Sequence, residues 1–208
     1  MAHRTTWLRS DFYYLQQTLG YTPIETGLAF LPMIAALMVT STLATTSLVP
    51  RFGPKPVVPL GMGVAAAGMV WLTGLDLGSS YAAHILPPLI VAGLGMGLIM
   101  APAMSLATEG VAAEDSGVAS AAVNTMQQVG GSLGTALLNT LFSSAVTNYI
   151  DGRNPKDPMV LAQAGLEGYS TAYWWSAAFF AAGLVISVLL YRRGAPVHNP
   201  DAAPVVHM

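Results

Sequence analysis

The 208-residue chain is 53% hydrophobic and only 9% charged, and it has a net charge of -2 and no cysteine. Because a soluble domain has about 25% charged residues, this composition excludes an ordinary water-exposed surface. The lack of cysteine excludes disulfides, thiolate nucleophiles and cysteine metal sites, and the net charge disfavours a nucleic-acid partner. The composition therefore predicts a protein whose main partner is the lipid bilayer.

Five long stretches without Asp, Glu, Lys or Arg divide the chain. A helix needs about 20 apolar residues to cross a hydrocarbon core of ~30 Å, so each stretch holds one span. A spanning strand needs only ~10 residues of alternating polarity, whereas these stretches are apolar on every side. We therefore predict an all-α integral membrane protein with about five transmembrane helices. The predicted spans cover about residues 26–48, 56–75, 85–107, 117–145 and 170–191.

The remaining segments predict the ends and connections of this bundle. Residues 1–20 lack the apolar core of a signal peptide. We assign residues 1–25 to an N-terminal segment and extracellular junction, and residues 26–193 to the transmembrane bundle. The longest predicted loop covers 149–169, around the turn signal DGRNPKDP, and residues 194–208 contain three prolines and predict a disordered tail. The basic residues divide four against four between the two sides, so they leave the orientation open.

The fourth predicted span carries a polar stripe. Its members recur at spacings of three or four, which places them on one helix face. An amide in hydrocarbon without a partner costs several kcal/mol, so the stripe must face other helices or a wet cavity. Two interpretations stay open: hydrogen bonds between helices, worth roughly 0.6 kcal/mol each, or the wall of a polar substrate path. The candidate pathway residues of this stripe, which also includes Ser120 and Gly131, are Asn124, Gln127, Gln128, Thr135 and Asn139.

Two glycine pairs are spaced four residues apart within predicted spans. Gly93 and Gly97 lie in the third span, and Gly130 and Gly134 lie in the fourth. This spacing allows the close approach of a neighbouring helix, so we assign all four to helix packing. The GLGMG stretch at 93–97 has no preceding strand and no acidic residue at the distance that a nucleotide loop needs.

Charged residues are absent from the interior of every predicted span. Such residues are the usual mark of a proton or ion relay. The titratable imidazole nearest to a span, His84, is assigned to the membrane interface. Because no Ser–His–acid set, HExxH motif or paired carboxylates lie within the membrane, we predict no enzymatic activity, metal site or cofactor.

Five stretches, taken in chain order, share a pattern with a known family. They are YYLQQTLGYTPIETGLAFLP at 13–32, LVPRFGPKP at 48–56, GLGMGLIMAP at 93–102, EDSGVASAAVNTMQQVGGSLGTAL at 114–137 and YRR at 191–193. Together they resemble fourteen-helix drug:proton antiporters of the major facilitator superfamily. The resemblance covers residues 12 to about 193, and NTMQQVGGSLG at 124–134 is its most specific part.

The resemblance implies that the chain corresponds to the last five helices of such an antiporter. It further implies a plasma-membrane protein with a cytoplasmic C-terminus and an extracellular loop at 149–169. The basic loop motif, Arg51 and Lys55, would then be cytoplasmic, where it either anchors a gate or only marks topology. The basic loop lacks the acidic partner of the superfamily's fullest motif, and the proton-coupling acids of this family lie mainly in the N-terminal half.

Two functional hypotheses follow from the resemblance. In the first, the chain is a transporter, or the C-terminal part of one, and exports small amphipathic, drug-like molecules by alternating access with the proton gradient as driving force. In the second, it is a truncated or subunit-type membrane fragment that does not transport alone. Its partner would then be another chain that holds the missing N-terminal helices. The second follows because five helices form only part of one rocking half, whereas alternating access needs two.

Overall fold

A computed structural model describes residues 22–108, 111, 112 and 114–190 of the chain. Within this part all regular elements are helices, which confirms the predicted all-α class. The predicted disordered tail and most of the N-terminal segment lie outside the described residues. The helices are α1 Pro23–Ala29, α2 Leu31–Leu43, a π-helical turn Ala44–Leu48, α3 Val49–Phe52, α4 Pro54–Leu72, a second π-helical turn Tyr81–Ile85, α5 Leu86–Thr108, α6 Ser116–Ile150 and α7 Pro158–Leu190.

The first helical unit begins with two complementary hydrogen bonds. The Thr22 hydroxyl accepts from the Glu25 backbone N–H, and the Glu25 carboxylate accepts from the Thr22 backbone N–H at 2.8 Å. This capping box satisfies two backbone groups that the first turn leaves without partners, and Pro23 follows where no N–H is needed. The local sequence therefore fixes where the first spanning unit starts.

Four helical units are long and apolar enough to cross a membrane by length and composition. They overlap four of the five predicted spans. The predicted fourth span coincides with α6, a helix of 35 residues that does not meet this hydropathy criterion because it carries many amide, hydroxyl and glycine residues. Its place in the bilayer therefore stays a prediction. The four units are Pro23–Phe52, Lys55–Leu72, Tyr81–Ser105 and Pro158–Leu189.

The last connection is shorter than the predicted loop at 149–169. Helix α6 continues to Ile150 and α7 already begins at Pro158, so only residues 151–157 connect them. Gly152 allows the reversal with a φ of 72°, and the Asp157 carboxylate accepts from the Met159 backbone N–H at the start of α7. The sequence prediction placed the span start after Glu167, but one exposed charge does not end a helix whose other face is packed.

The helices pack in a continuous order that differs from their order in the chain. Helix α2 packs on α5, α5 on α4, α4 on α7, and α7 on α6. Helix α5 is therefore enclosed between α2 and α4, whereas α6 lies at the edge of the described bundle. The exposure of α6 reflects this edge position, since none of its 35 residues is buried.

Glycines allow two helices to approach α5 closely from opposite sides. A Cβ added to Gly97 would lie 2.5 Å from the Leu37 carbonyl oxygen of α2, so no larger side chain fits there. On the opposite face, a Cβ on Gly95 would meet the Ala65 backbone nitrogen and lie 2.7 Å from the Gly61 carbonyl oxygen of α4. Alternate glycines of one short stretch thus bring two neighbours into backbone contact with α5.

The largest buried cluster lies at the end of the bundle that carries the 73–80 loop. It joins α1, α2, α4, α5 and α7, while α6 contributes only the partly buried Phe142. The Tyr81 hydroxyl and the Ser170 hydroxyl add hydrogen bonds to the backbone oxygens of Ala29 and Thr73. The cluster comprises Ala29, Phe30, Met33, Met69, Leu72, Ile85, Leu89, Ala92, Tyr169, Tyr173 and Ala177.

Candidate substrate-pathway helix

The predicted polar stripe lies on α6, and most of its candidate residues are exposed. Asn124, Gln127, Gln128 and Asn139 are exposed, while Thr135 is half-buried. Because the described helices cover little of α6, they do not supply partners for the amide side chains of the stripe. The structure brings the five residues together on one helix but not into a closed site.

Hydroxyl groups along α6 bond to the helix's own backbone. The Thr125 hydroxyl donates to the Ala121 oxygen at 2.9 Å, and the Thr140 hydroxyl donates to the Ala136 oxygen at 2.8 Å. Ser132 and Thr147 make the same bond to the carbonyl four residues earlier. Such bonds allow a hydroxyl to face hydrocarbon at low cost.

The amide side chains of the stripe on α6 do not form such hydrogen bonds to the helix backbone. In the part of the chain that the structure describes, the side chains of Asn124, Gln127, Gln128 and Asn139 form no hydrogen bond. Each amide has both donor and acceptor groups. If the bilayer covered them, the cost would be several kcal/mol for each unpaired group. The amides, rather than the hydroxyls, are therefore the part of the stripe that requires a partner.

The apolar face of α6 is also open. Met126 is 71% exposed and Leu133 is 66% exposed. Lipid can cover these two side chains without cost, whereas it cannot cover the amides on the other face. The helix therefore has one face suited to lipid and one suited to a polar environment or to further protein.

A second set of polar residues lies on α6 beyond the predicted stripe, and at about 100° per residue most of its members face away from the stripe. A shallow groove on the surface of α6 begins at Asn139 and continues for more than two turns. The signal was present in the sequence, since the spacing of three and four continues past Asn139. The groove is lined by Asn139, Thr140, Ser143, Ser144, Thr147 and Asn148.

Helix α6 is fixed to α7 near its C-terminal end. The rings of Phe142 and Tyr169 lie 5.1 Å apart between centroids, and a Cβ on Gly168 would lie 2.6 Å from the Phe142 ring. Closer to the turn, the Tyr149 hydroxyl donates to the Gln163 side-chain oxygen at 2.6 Å. These contacts hold one end of α6, while the exposed amides of Asn124, Gln127 and Gln128 lie in its first half.

The four glycines assigned to helix packing have different surroundings. A Cβ on Gly93 would lie 2.5 Å from the Met33 carbonyl oxygen, and Gly97 contacts α2 one turn further on. At Gly130 and Gly134 an added Cβ would meet nothing within 4 Å. The first pair thus lies in a helix contact of the described bundle, and the second lies on an open face of α6.

The basic residues lie at the turn between α3 and α4. Arg51 is exposed in the four-residue helix α3, and Lys55 is partly buried in the first turn of α4. Between them Gly53 has a φ of 77°, a conformation that residues with a Cβ rarely adopt. The glycine therefore sets the reversal that places both cations at the same end of the bundle.

Among the residues that the structure describes, no group of three or more His, Cys, Asp or Glu lies close enough together to hold a metal ion. The exposed end of the α6–α7 turn has an Arg153 guanidinium 4.1 Å above the Tyr149 ring, which is a local cation–π contact. These residues supply no acid or base within the bundle.

Comparison with protein families gives a match over residues 5–135 to the Major Facilitator Superfamily model. The match covers more than half of the chain. The chain belongs to the major facilitator superfamily. The family predicted from the residues is confirmed, and with it the expectation of a partial superfamily bundle in a multi-pass membrane protein of a transporter family.

Several relatives in this superfamily are named for antibiotic resistance or export. The puromycin resistance protein pur8 of Streptomyces alboniger is 43% identical over 162 residues, which are 77% of this chain and 32% of that protein. The cephamycin export protein CmcT of Amycolatopsis lactamdurans is 31% identical over 64% of this chain and 27% of its own length. The tetracenomycin C resistance and export protein of Streptomyces glaucescens is 32% identical over 64% of this chain and 24% of its own. The chain thus spans about a third of the length of the first of these superfamily relatives and about a quarter of the others.

Proposed function

We propose that this chain forms part of the translocation pathway of an exporter that moves small amphipathic, drug-like molecules out of the cell. The observation that carries the proposal is the uncharged amide face of α6, which has no hydrogen-bond partner in the described bundle. The names of the relatives support the same class of activity. Transport would follow alternating access with the proton gradient as driving force.

The candidate pathway residues have chemistry that suits such a path. Asn124, Gln127, Gln128 and Asn139 offer donors and acceptors without charge, and Thr135 lies on the same helix face. In secondary transporters, substrate sites lie near the bilayer midplane at the contact between repeats. An amide face at the edge of the described bundle is available for such a contact.

The proposed orientation places the Arg51 end in the cytoplasm. Four basic residues, Arg51, Lys55, Arg192 and Arg193, would then lie on the cytoplasmic side, in line with the positive-inside tendency once the first ten residues are set aside. The turn at 151–157 would be extracellular. Arg51 and Lys55 would serve either as a gate anchor or as topology markers.

We further propose that these five helices do not transport alone. Alternating access requires two repeats that rock against each other, and this chain spans about a third of the length of its first relative above. The predicted spans contain no Asp, Glu, Lys or Arg that could carry a proton. The missing helices, whether on another chain or on the same one, would then supply proton coupling. Nothing in this proposal assigns an enzymatic reaction or a cofactor.

Vesicle transport measurements test both proposals. One sample contains the chain alone, and the other contains a chimera in which the chain replaces the matching segment of the puromycin resistance protein. We expect proton-driven puromycin transport by the chimera and only background transport by the chain alone. A chimera that reaches the membrane but stays inactive would contradict the pathway proposal. Uncoupler-sensitive transport by the chain alone would contradict the proposal that these five helices do not transport alone.

A further inference from the structure

The first spanning unit contains an irregular turn that the sequence prediction did not include. Between Ala44 and Leu48 the backbone is π-helical, and the Val49 N–H donates to the Ala44 carbonyl five residues earlier. A π turn holds one residue more than an α turn, and short π segments occur often at functional sites. The extra residue rotates everything that follows by about 100° around the helix axis.

Two hydroxyl groups of this turn bond to the backbone carbonyls of the last turn of α2. The Thr45 hydroxyl lies 3.1 Å from both the Ser41 and the Thr42 oxygens, and the Thr46 hydroxyl lies 2.8 Å from the Thr42 oxygen. Such bonds compete with the regular backbone ladder and bend helices. The last carbonyls of α2 thus have hydroxyl partners besides backbone N–H groups, which lowers the cost of changing the backbone geometry where α2 meets the turn.

The helix before the turn is held firmly. A Cβ on Gly93 would lie 2.5 Å from the Met33 oxygen, and one on Gly97 would lie 2.9 Å from the Ser41 nitrogen. Helix α2 is thus in backbone contact with α5 up to Ser41, three residues before the π turn begins. Motion on this side of the turn would require separation of the two helices.

The segment after the turn is short and lightly packed. Helix α3 has only four residues, with no buried member, and it ends at Gly53 with its φ of 77°. Phe52 is 66% exposed. A small cluster of Ala44, Val57 and Leu98, with Leu48 and Val49 against it, is what holds this segment to the bundle.

The second π turn of the chain provides a contrast. At Tyr81–Ile85 the Leu86 N–H donates to the Tyr81 oxygen in the same five-residue pattern. There the Tyr81 hydroxyl bonds to the Ala29 oxygen, and Ile85 is only 2% exposed within the large cluster. This turn has a tertiary hydrogen bond besides its packing in the large cluster, whereas the first turn is held by the packing of Ala44 and Leu48 in the small cluster.

We propose that the π turn Ala44–Leu48 and Gly53 are the two joints of a lever, Val49–Phe52, that swings Arg51 at this end of the bundle. The part of α2 that contacts α5 stays fixed, and the lever moves against the small cluster. Loss of the extra residue in the π turn would turn Arg51 by about 100° toward a different neighbour. The lever would exist whether or not the chain exports a substrate.

Distances between two spin labels in lipid nanodiscs test the lever directly. Because the chain has no cysteine, Met38→Cys with Phe52→Cys places exactly two labels across the π turn, at side chains that are 63% and 66% exposed. The control pair is Trp174→Cys with Val188→Cys, both 56% exposed and equally spaced on the unbroken helix α7. We expect the distance distribution of the first pair to be at least about twofold wider than that of the control.

Two further variants of the first labelled pair separate a hinge from a fixed bend. Deletion of Thr45 removes the extra residue, and Thr45→Val with Thr46→Val removes the competing hydroxyls while it keeps the side-chain shape. We expect each variant that folds to narrow the distribution toward the control width. A first pair as narrow as the control, or a width that both variants leave unchanged, would overturn the proposal.

Discussion

The Tyr81 hydroxyl donates a hydrogen bond of 2.5 Å to the backbone oxygen of Ala29, a residue 52 positions earlier in the chain. The bond joins the start of the third spanning unit to the last residue of α1. It lies beside the large buried cluster, against which the Tyr81 ring packs. It therefore ties two helices together at the end of the bundle that we propose to be extracellular.

Replacement of Tyr81 by Phe is expected to lower the stability of the folded chain by about 1 kcal/mol, because the Ala29 oxygen loses a donor while the ring packing stays. Unfolding in mixed micelles measures this loss. The control is Tyr149→Phe, whose hydroxyl bonds to the exposed Gln163 side chain, and it should cost less. An equal loss of stability in the two variants would show that the Tyr81 hydrogen bond stabilises the fold no more than the exposed Tyr149 hydrogen bond does.

Gly97→Ala is expected to destabilise the chain by roughly 1–3 kcal/mol, the usual cost of overpacking a tight contact. The added Cβ would lie 2.5 Å from the Leu37 oxygen and 2.9 Å from the Ser41 nitrogen, so α2 has to move away. Gly130→Ala is the matched control, because nothing lies within 4 Å of its Cβ, and it should be neutral or stabilising. The same unfolding measurement compares them, and a Gly97→Ala variant as stable as the control would contradict the close contact.

Gln128→Leu, introduced into the chimera with the puromycin resistance protein, is expected to change the transport rate or the range of substrates without loss of membrane expression. The reason is that its amide has no partner in the described bundle and is available to the proposed pathway. Thr125→Leu is the control on the same helix, since its hydroxyl already bonds to the Ala121 oxygen. Loss of expression at unchanged specific transport would instead support hydrogen bonds between helices as the role of the stripe.

Phe52→Cys is expected to resist a membrane-impermeant maleimide in intact cells, whereas Asn154→Cys should react. Both positions are exposed, and the chain has no other cysteine, so labelling reports only the side of the membrane. Both variants should react after the cells are opened, which controls for accessibility. The reverse pattern in intact cells would place the C-terminus outside and reject the proposed orientation.

The sequence predicts the all-α class well because charged residues seldom enter a lipid-facing helix, so the uncharged stretches mark the spans. It misplaces the start of α7, since Glu167 is an exposed charge on a helix that continues for two turns before it. The π turn at Ala44–Leu48 leaves no comparable signal, because the run of Ser and Thr around it is also compatible with a regular helix.

The candidate site residues were also predicted only in part from the sequence. The spacing of Asn124, Gln128 and Thr135 predicts a shared helix face, and the structure indeed places them on α6. The sequence alone gives no indication that Gly130 lies on an open face while Gly97 lies against α2, because both belong to the same four-residue spacing. The two glycines differ in whether a neighbouring helix packs against them, and the four-residue spacing does not encode this. The roles of Asn124, Gln128 and Thr135 in transport stay predictions.

The alternating contacts of Gly93, Gly95 and Gly97 have a consequence for how this protein tolerates change. Both faces of α5 are in close contact with a neighbouring helix at these glycines. A methyl group added on one face therefore cannot be accommodated by a shift of α5 toward the other. The three helices α2, α5 and α4 are thus packed in backbone contact with one another, with α5 in the middle. Any rocking of the bundle would move these three helices together as one rigid unit, and the three contact positions should remain glycine in related sequences.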